Sequence, residues 1–152
     1  MYGTSTAYKL LLLLHILSAI IAFGPWFLNG LFPSFALKRS QTEGQAINTV
    51  NLNVSTFTQF AMYGVVVFGF GLLGAKTKGA PVSMSKPWVG IALVVWIAIV
   101  GVLHGLILPA QRGLKDGTGD REALTRRQSL GAAAIEVLVV VAVYLMVFRP
   151  GQ

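Results

Sequence analysis

Residues 8–27, YKLLLLLHILSAIIAFGPWF, decide the fold class of this chain. Between Lys9 and Phe27 the stretch contains no Lys, Arg, Asp or Glu. A helix needs about 20 largely apolar residues to cross a hydrocarbon layer ~30 Å thick, and this stretch is long enough. It therefore predicts a first transmembrane helix at residues 8–32, which we interpret as retained rather than cleaved as a secretory signal.

Three further stretches meet the same length criterion, at residues 54–75, 88–110 and 130–148. Hydrophobic residues make up 55% of the chain and charged residues 11%, whereas soluble domains carry about a quarter charged residues. Polar connections containing Gly and Pro separate the four stretches. The sequence thus predicts an all-α membrane protein, a single domain over residues 1–152 that folds as an antiparallel bundle of four transmembrane helices.

Two polar segments are expected to extend helices beyond the membrane. Asp120 can cap a helical turn over residues 121–127 that leads into the fourth span, and residues 43–53 can extend the second. With side A defined as the N-terminal side of the membrane, both extensions lie on side B. Five Lys and Arg fall on side A and seven on side B. The positive-inside rule therefore favours a cytoplasmic side B in a bacterial plasma membrane.

Composition and motifs exclude several classes of function. The chain has no cysteine, so disulfides and thiolate metal sites are absent. Its net charge is +7, and the basic residues lie between the apolar stretches. This pattern suits lipid headgroups rather than nucleic acid. Gly69, Gly71 and Gly74 spell GxGxxG inside an apolar span, where chance or helix packing explains them. No nucleophile-base motif occurs, and we predict that the chain is not an enzyme.

Three ionisable residues fall at membrane depth, where such groups are costly and suggest function. They are His15, His104 and Glu136. The two histidines differ in depth by about 14 Å at ~1.5 Å per residue, which argues against one haem held by both. We therefore expect no cofactor and no metal. His104 and Glu136 have similar depths, and we predict an intramembrane polar cluster of these two with Gln59 and Asn29. Helix-helix adhesion is favoured over proton relay or ligand binding as its role.

A second polar pair is predicted between His15 and Tyr144, which lie at similar depth.

Small residues predict close contact of the third and fourth spans, at Gly101, Gly105, Gly131 and Ala132. Four basic residues on side B are candidates for lipid headgroup binding, with ordinary flanking charge as the favoured alternative: Arg112, Lys115, Arg126 and Arg127.

The first span, with its early His15, and the ending VVVAVYLMVFRPG at residues 139–151 resemble an uncharacterised bacterial family of predicted four-helix integral membrane proteins. His15 and the Arg149, Pro150, Gly151 ending carry the resemblance, which implies no catalytic residue. The usage of Ala, Gly, Val and Arg is similar to that of actinobacterial proteins. Small four-helix chains of this kind resemble accessory subunits of the actinobacterial cytochrome bcc-aa3 supercomplex.

These observations favour a non-catalytic accessory, stabilising or assembly subunit of a larger membrane complex. The placement of the basic residues predicts phospholipid as a partner, and the resemblance implies a larger membrane complex with cytochrome subunits of a respiratory supercomplex. The alternative is a small transporter or proton-relay protein that uses His104 and Glu136. A haem-binding electron carrier is disfavoured by the depths of the histidines.

The predicted topology places both chain ends on side A. Because the chain has no native cysteine, single Gly3→Cys and Gly151→Cys variants report cleanly on accessibility. An impermeant thiol reagent should label both from the same side of the membrane. Labelling of the two variants from opposite sides would show that the number of spans is odd.

Overall fold

A computed structural model describes residues 6–75 and 85–151. Within these ranges, four helical stretches are long and apolar enough to cross a membrane: Thr6–Leu37, Gln41–Gly74, Pro87–Asp116 and Arg121–Phe148. The protein is an all-α membrane protein that folds as a four-helix bundle. The predicted fold class is confirmed.

The first span is interrupted twice, whereas the sequence predicted one helix over residues 8–32. It consists of α1 (Thr6–Phe23), α2 (Trp26–Asn29) and α3 (Phe32–Leu37). The first break falls at Gly24 and Pro25, where the proline ring disfavours helical backbone in the residue before it. The second break precedes Pro33, which lacks the N–H that would bond to the carbonyl of Asn29. The two prolines therefore divide a stretch that hydropathy alone treats as continuous.

The second span is a single helix, α4 (Gln41–Gly74). Ser40 and Glu43 form a reciprocal capping box at its start, which satisfies two backbone N–H groups that the first turn leaves free. At ~1.5 Å per residue its 34 residues reach about 51 Å. The helix therefore extends well beyond the hydrocarbon layer, as the polar segment at residues 43–53 predicted.

The third span changes its winding near its middle. Helix α5 (Pro87–Val102) passes into a π-helical turn (Leu103–Ile107) and then into α6 (Leu108–Asp116). Pro109 cannot donate to the carbonyl of Gly105, four residues earlier. That carbonyl instead accepts a hydrogen bond of 2.7 Å from Nη2 of Arg127. The helix continues through Pro109 beyond the predicted span end at residue 110, and it is capped after Asp116 by Gly117, whose φ of 67° suits a glycine.

The fourth span is α7 (Arg121–Phe148), and Asp120 caps it by accepting from the backbone N–H of Glu122. Its polar first turns run without interruption into the apolar part, which confirms the predicted extension. Helix α1 packs along α4 and α5 packs along α7, while α3 and α6 join α4 and α7 at the side-B end. The apolar core between them includes Trp26, Met62, Ile99 and Ile135.

The third and fourth spans meet at Gly131. A Cβ atom built on Gly131 would lie 2.6 Å from Cγ1 of the buried Ile107. The predicted role of Gly131 in packing is therefore correct, and Ala132 is buried beside Gly30. Gly101 and Gly105 were predicted to pack in the same way, but nothing lies within 4 Å of a Cβ at either position. They share the outer face of their helix, because Leu103 and Ile107 occupy the inner one.

This contrast gives a matched test of packing. Gly131→Val should destabilise the protein by about 1–3 kcal/mol, because its side chain must displace Ile107 from a filled core. Gly101→Val adds the same atoms at an open position and should leave stability nearly unchanged. Reversible unfolding in mixed micelles measures both. Equal losses in the two variants would contradict the described contact between the spans.

Candidate functional site

Four buried polar side chains from four different helices meet near the side-B end of the bundle. Asn29 is the last residue of α2, Ser55 lies on α4, Gln111 on α6 and Gln128 on α7. None is more than 1% exposed. We call these four residues the carboxamide cluster, since three of them carry carboxamides. At ~1.5 Å per residue, Ser55 lies about 28 Å from the side-A end of α4, close to the side-B boundary of the hydrocarbon layer.

Asn29 is the centre of the hydrogen bonds in this cluster. Its Oδ1 accepts from Nε2 of Gln111 at 3.2 Å and from Nε2 of Gln128 at 3.0 Å. Its Nδ2 donates to Oγ of Ser55 at 2.8 Å, and Gln111 donates to the same oxygen at 2.9 Å. Gln128 also donates to the backbone carbonyl of Asn29 at 3.3 Å. The backbone carbonyl that Pro33 leaves without a helical partner is thereby satisfied.

Several atoms in and beside the carboxamide cluster are buried without a hydrogen-bond partner. Within the cluster these are Oε1 of Gln111 and Oε1 of Gln128. Asn51 and Asn48 follow Ser55 on the same face of α4 toward side B, at helical spacing, and both are buried. Oδ1 of Asn48 and both polar atoms of the Asn51 carboxamide also lack a partner. Buried polar atoms are normally paired with protein groups or ordered water, so these atoms are available to a further polar species.

The structure places the predicted cluster residues in different surroundings. Asn29 is in the carboxamide cluster, but His104 is exposed on the outer surface, where Tyr63 Oη lies 3.2 Å from its Nε2. Its Nδ1 lies 3.0 Å from the carbonyl of Val100, which can only accept, so Nε2 is the acceptor for Tyr63. Glu136 and Gln59 are half-buried and have no hydrogen bond within residues 6–75 and 85–151. The predicted contact between His104 and Glu136 is therefore wrong: similar depth does not fix which way a side chain faces around its helix.

His15 likewise has a different partner from the one predicted. Its Nδ1 donates to the carbonyl of Val65 at 2.7 Å, so it bonds to α4. Gly69 leaves room for the ring, because a Cβ there would lie 3.3 Å from His15 Cε1. Tyr144 is exposed on α7, and its ring lies 4.7 Å from that of Phe148. The predicted pair of His15 and Tyr144 is wrong because α1 packs on α4 and not on α7.

The remaining predicted residues lie on the side-B surface. All four basic candidates are exposed, namely Arg112, Lys115, Arg126 and Arg127. Arg127 donates to the carbonyl of Gly105, and lipid binding by the four stays a prediction. In the part of the chain that the structure describes, no group of three or more His, Cys, Asp or Glu side chains could hold a metal ion.

A cleft opens at the opposite, side-A end between the α1–α4 pair and the α5–α7 pair. It encloses about 450 Å³ and is lined mainly by apolar side chains, with His15 in its wall. Trp88 and Arg149 stand among its lining residues, and the Arg149 guanidinium lies 5.9 Å from the centre of the Trp88 ring. Met62, Leu103 and Ile135 are fully buried between this cleft and the carboxamide cluster. The bundle thus has a polar site at one end, an open cleft at the other and an apolar layer between them.

Sequence reasoning missed Ser55, Gln111 and Gln128. The two glutamines were assigned to the third connection, because the predicted third span ended at residue 110 and the fourth began at residue 130. The available signal was helical spacing: Gln128 lies three and four residues before Gly131 and Ala132, on the face that packs inward.

Comparison with known proteins gives one informative match. The chain is 28% identical over 144 residues to the Na⁺/H⁺ antiporter NhaA 2 of Sorangium cellulosum (strain So ce56), a match that covers 86% of this chain and 29% of that protein. The chain therefore spans less than a third of the length of this relative. No protein-family model and no solved structure matches the chain.

The hydrogen bonds within the cluster predict energetic coupling between its members. In a double-mutant cycle, Asn29→Ala and Gln128→Ala should couple by about 0.6–1.7 kcal/mol, the range from average to strongest for hydrogen bonds between membrane helices. The matched cycle of Asn29→Ala with Gln59→Ala should show no coupling, since Gln59 lies outside the cluster. Unfolding free energies in mixed micelles supply both cycles. Additive effects of the first pair would argue against the described network.

Proposed function

We propose that this protein is a small multi-pass transport protein that moves a small cation, H⁺ or Na⁺, across the membrane. The observation that carries the proposal is the carboxamide cluster, a buried polar site at a break in the first span. The hydrogen bonds of the cluster serve the fold, but they leave Oε1 of Gln111 and Oε1 of Gln128 buried without a partner, which a purely structural network does not require.

The helix geometry around the site supports this function. Secondary transporters build their ion sites from interrupted helices, whose ends present backbone carbonyls to the ion. Here α2 ends at Asn29, and the π turn interrupts the third span before Gln111. The carbonyls of Asn29 and Gly30 point toward α7, where they accept from Gln128 and from Ser129 Oγ. The site thus shares interrupted helices with ion-coupled transporters, although it lies near the side-B boundary rather than at the midplane, and its free acceptors are glutamine side-chain oxygens.

The arrangement along the membrane normal fits alternating access. The side-A cleft is open between two helix pairs, whereas the carboxamide cluster is closed around its own hydrogen bonds. Met62, Leu103 and Ile135 separate the two, and a cation would cross this layer only if the α1–α4 pair moved relative to the α5–α7 pair. The similarity to a Na⁺/H⁺ antiporter supports the same class of function.

A second candidate is an accessory subunit of a larger membrane complex, such as a respiratory supercomplex. It is favoured by α1, which buries only Ala22 and leaves a long row of leucines and isoleucines exposed. A partner's helix would cover this row as well as lipid does. This candidate leaves the unpartnered atoms of the carboxamide cluster without a role, which is why we rank it second.

Reconstitution tests the first candidate against the second. Purified protein in liposomes should take up ²²Na⁺ well above the rate of protein-free liposomes, and an internal pH dye shows whether H⁺ leaves the lumen in exchange. Gln128→Leu should reduce this rate at least tenfold, because it removes a buried polar group from the proposed path, whereas Gln59→Leu should retain it. A silent wild-type protein that co-purifies from native membranes with cytochrome subunits would overturn the transport proposal in favour of the accessory one.

A further inference from the structure

We infer that the carboxamide cluster is a binding site for a partly dehydrated monovalent alkali cation, with Oε1 of Gln111 and Oε1 of Gln128 as ligands. This inference rests on the proposed function, since it names the substrate class of the same site. It depends on which atoms of the cluster remain free and on their charge.

The orientation of the carboxamides follows from one backbone group. The carbonyl of Asn29 can only accept, so the group of Gln128 that faces it at 3.3 Å is the nitrogen. The same nitrogen lies 3.0 Å from the side chain of Asn29, which must therefore present its oxygen. Gln111 then also turns its nitrogen toward that oxygen, at 3.2 Å. Both glutamine oxygens are left free by this sequence of constraints.

The free carboxamide atoms of this region are mainly acceptors, and one further free donor is the indole Nε1 of Trp26, three residues before Asn29 on α2. Four buried carboxamide oxygens lack a partner, on Asn48, Asn51, Gln111 and Gln128, against one carboxamide nitrogen, on Asn51. A buried oxygen without a partner is costly, and only a hydrogen-bond donor or a cation can satisfy it. Sodium and potassium ions are hard cations, which take oxygen ligands as calcium and magnesium do. The excess of oxygens therefore suits an alkali cation.

The charge of the surroundings selects a monovalent ion. Every buried polar side chain of the described residues is uncharged: Asn29, Asn48, Asn51, Ser55, Thr58, Gln111, Thr125 and Gln128. Divalent cations lose far more hydration energy on entering a protein and depend on carboxylates to replace it. A neutral set of amide oxygens suits a singly charged ion, as rings of backbone carbonyls do in potassium channels.

Two further buried carboxamides lie between the site and side B. Asn51 and Asn48 lie one and two turns beyond Ser55 along α4, toward the part of the helix that leaves the hydrocarbon layer. A cation entering from side B would exchange hydration water for these carboxamides before it reached Gln111 and Gln128. The apolar layer of Met62, Leu103 and Ile135 would stop it there, so the site holds the ion at the side-B end in this conformation.

Ion binding to the full-length protein in nanodiscs tests this inference directly. Either NaCl or KCl should raise Tm saturably by several degrees relative to choline chloride of equal ionic strength, and ²²Na⁺ or ⁸⁶Rb⁺ should bind at about one ion per chain. Gln111→Leu and Gln128→Leu should each abolish the shift. Gln59→Leu, which removes the same group outside the cluster, should preserve it.

A second variant keeps the inference testable if the leucine variants do not fold. Asn51→Asp places a carboxylate where both polar atoms of the native side chain have no partner, so it breaks no described hydrogen bond, and it should lower the half-saturating salt concentration at least tenfold above pH 8. Equal Tm in all three salts with no bound isotope would overturn the inference and indicate water as the occupant, and so would binding that survives Gln128→Leu. Binding without ion movement in liposomes would refute the transport function alone. Transport unaffected by either glutamine would refute this site alone.

Discussion

The structure depends on the requirement that backbone polar groups in a membrane find partners within the protein, because hydrocarbon offers none. Pro33 and Pro109 each leave one carbonyl without its helical donor, at Asn29 and Gly105. Gln128 supplies the donor for the first and Arg127 the donor for the second. Two successive residues of α7 thus compensate for the two prolines. The polar start of α7 is therefore as much a part of the fold as the apolar segment that follows it.

The same compensation produces the candidate site. Gln128 must be buried to reach the carbonyl of Asn29, and a buried glutamine brings an oxygen as well as a nitrogen. Its nitrogen is used by Asn29, while its oxygen remains free. Gln111 repeats this arrangement from the opposite side of Asn29. The helix break therefore explains both parts of the site. It requires a buried carboxamide nitrogen as a donor, and each carboxamide also buries an oxygen that has no partner and that the proposed cation would bind.

The sequence predicted the spans well and the site poorly, for different physical reasons. Hydropathy and length identify a transmembrane helix because the thickness of the bilayer is fixed, and the cap at Asp120 could be recognised from local chemistry. Contacts between helices depend on rotation about each helix axis, which depth does not determine. His104 and Glu136 match in depth but face different neighbours, and His15 bonds to α4 rather than to Tyr144. Gln111 and Gln128 were overlooked because polar residues near a span end are usually assigned to loops.

The π turn also controls the angular register of the third span. Its inward residues recur at every fourth position, namely Val95, Ile99, Leu103, Ile107 and Gln111. An ideal α-helix advances about 100° per residue, so each step of four would overshoot by about 40° and the row would wind off the face by Gln111. The wider π turn takes back about one residue, or roughly 100°, of the roughly 160° that four such steps accumulate. It acts as a one-residue phase correction: a plain α-helix of the same length would turn Gln111 by about 100° away from the face that it occupies here.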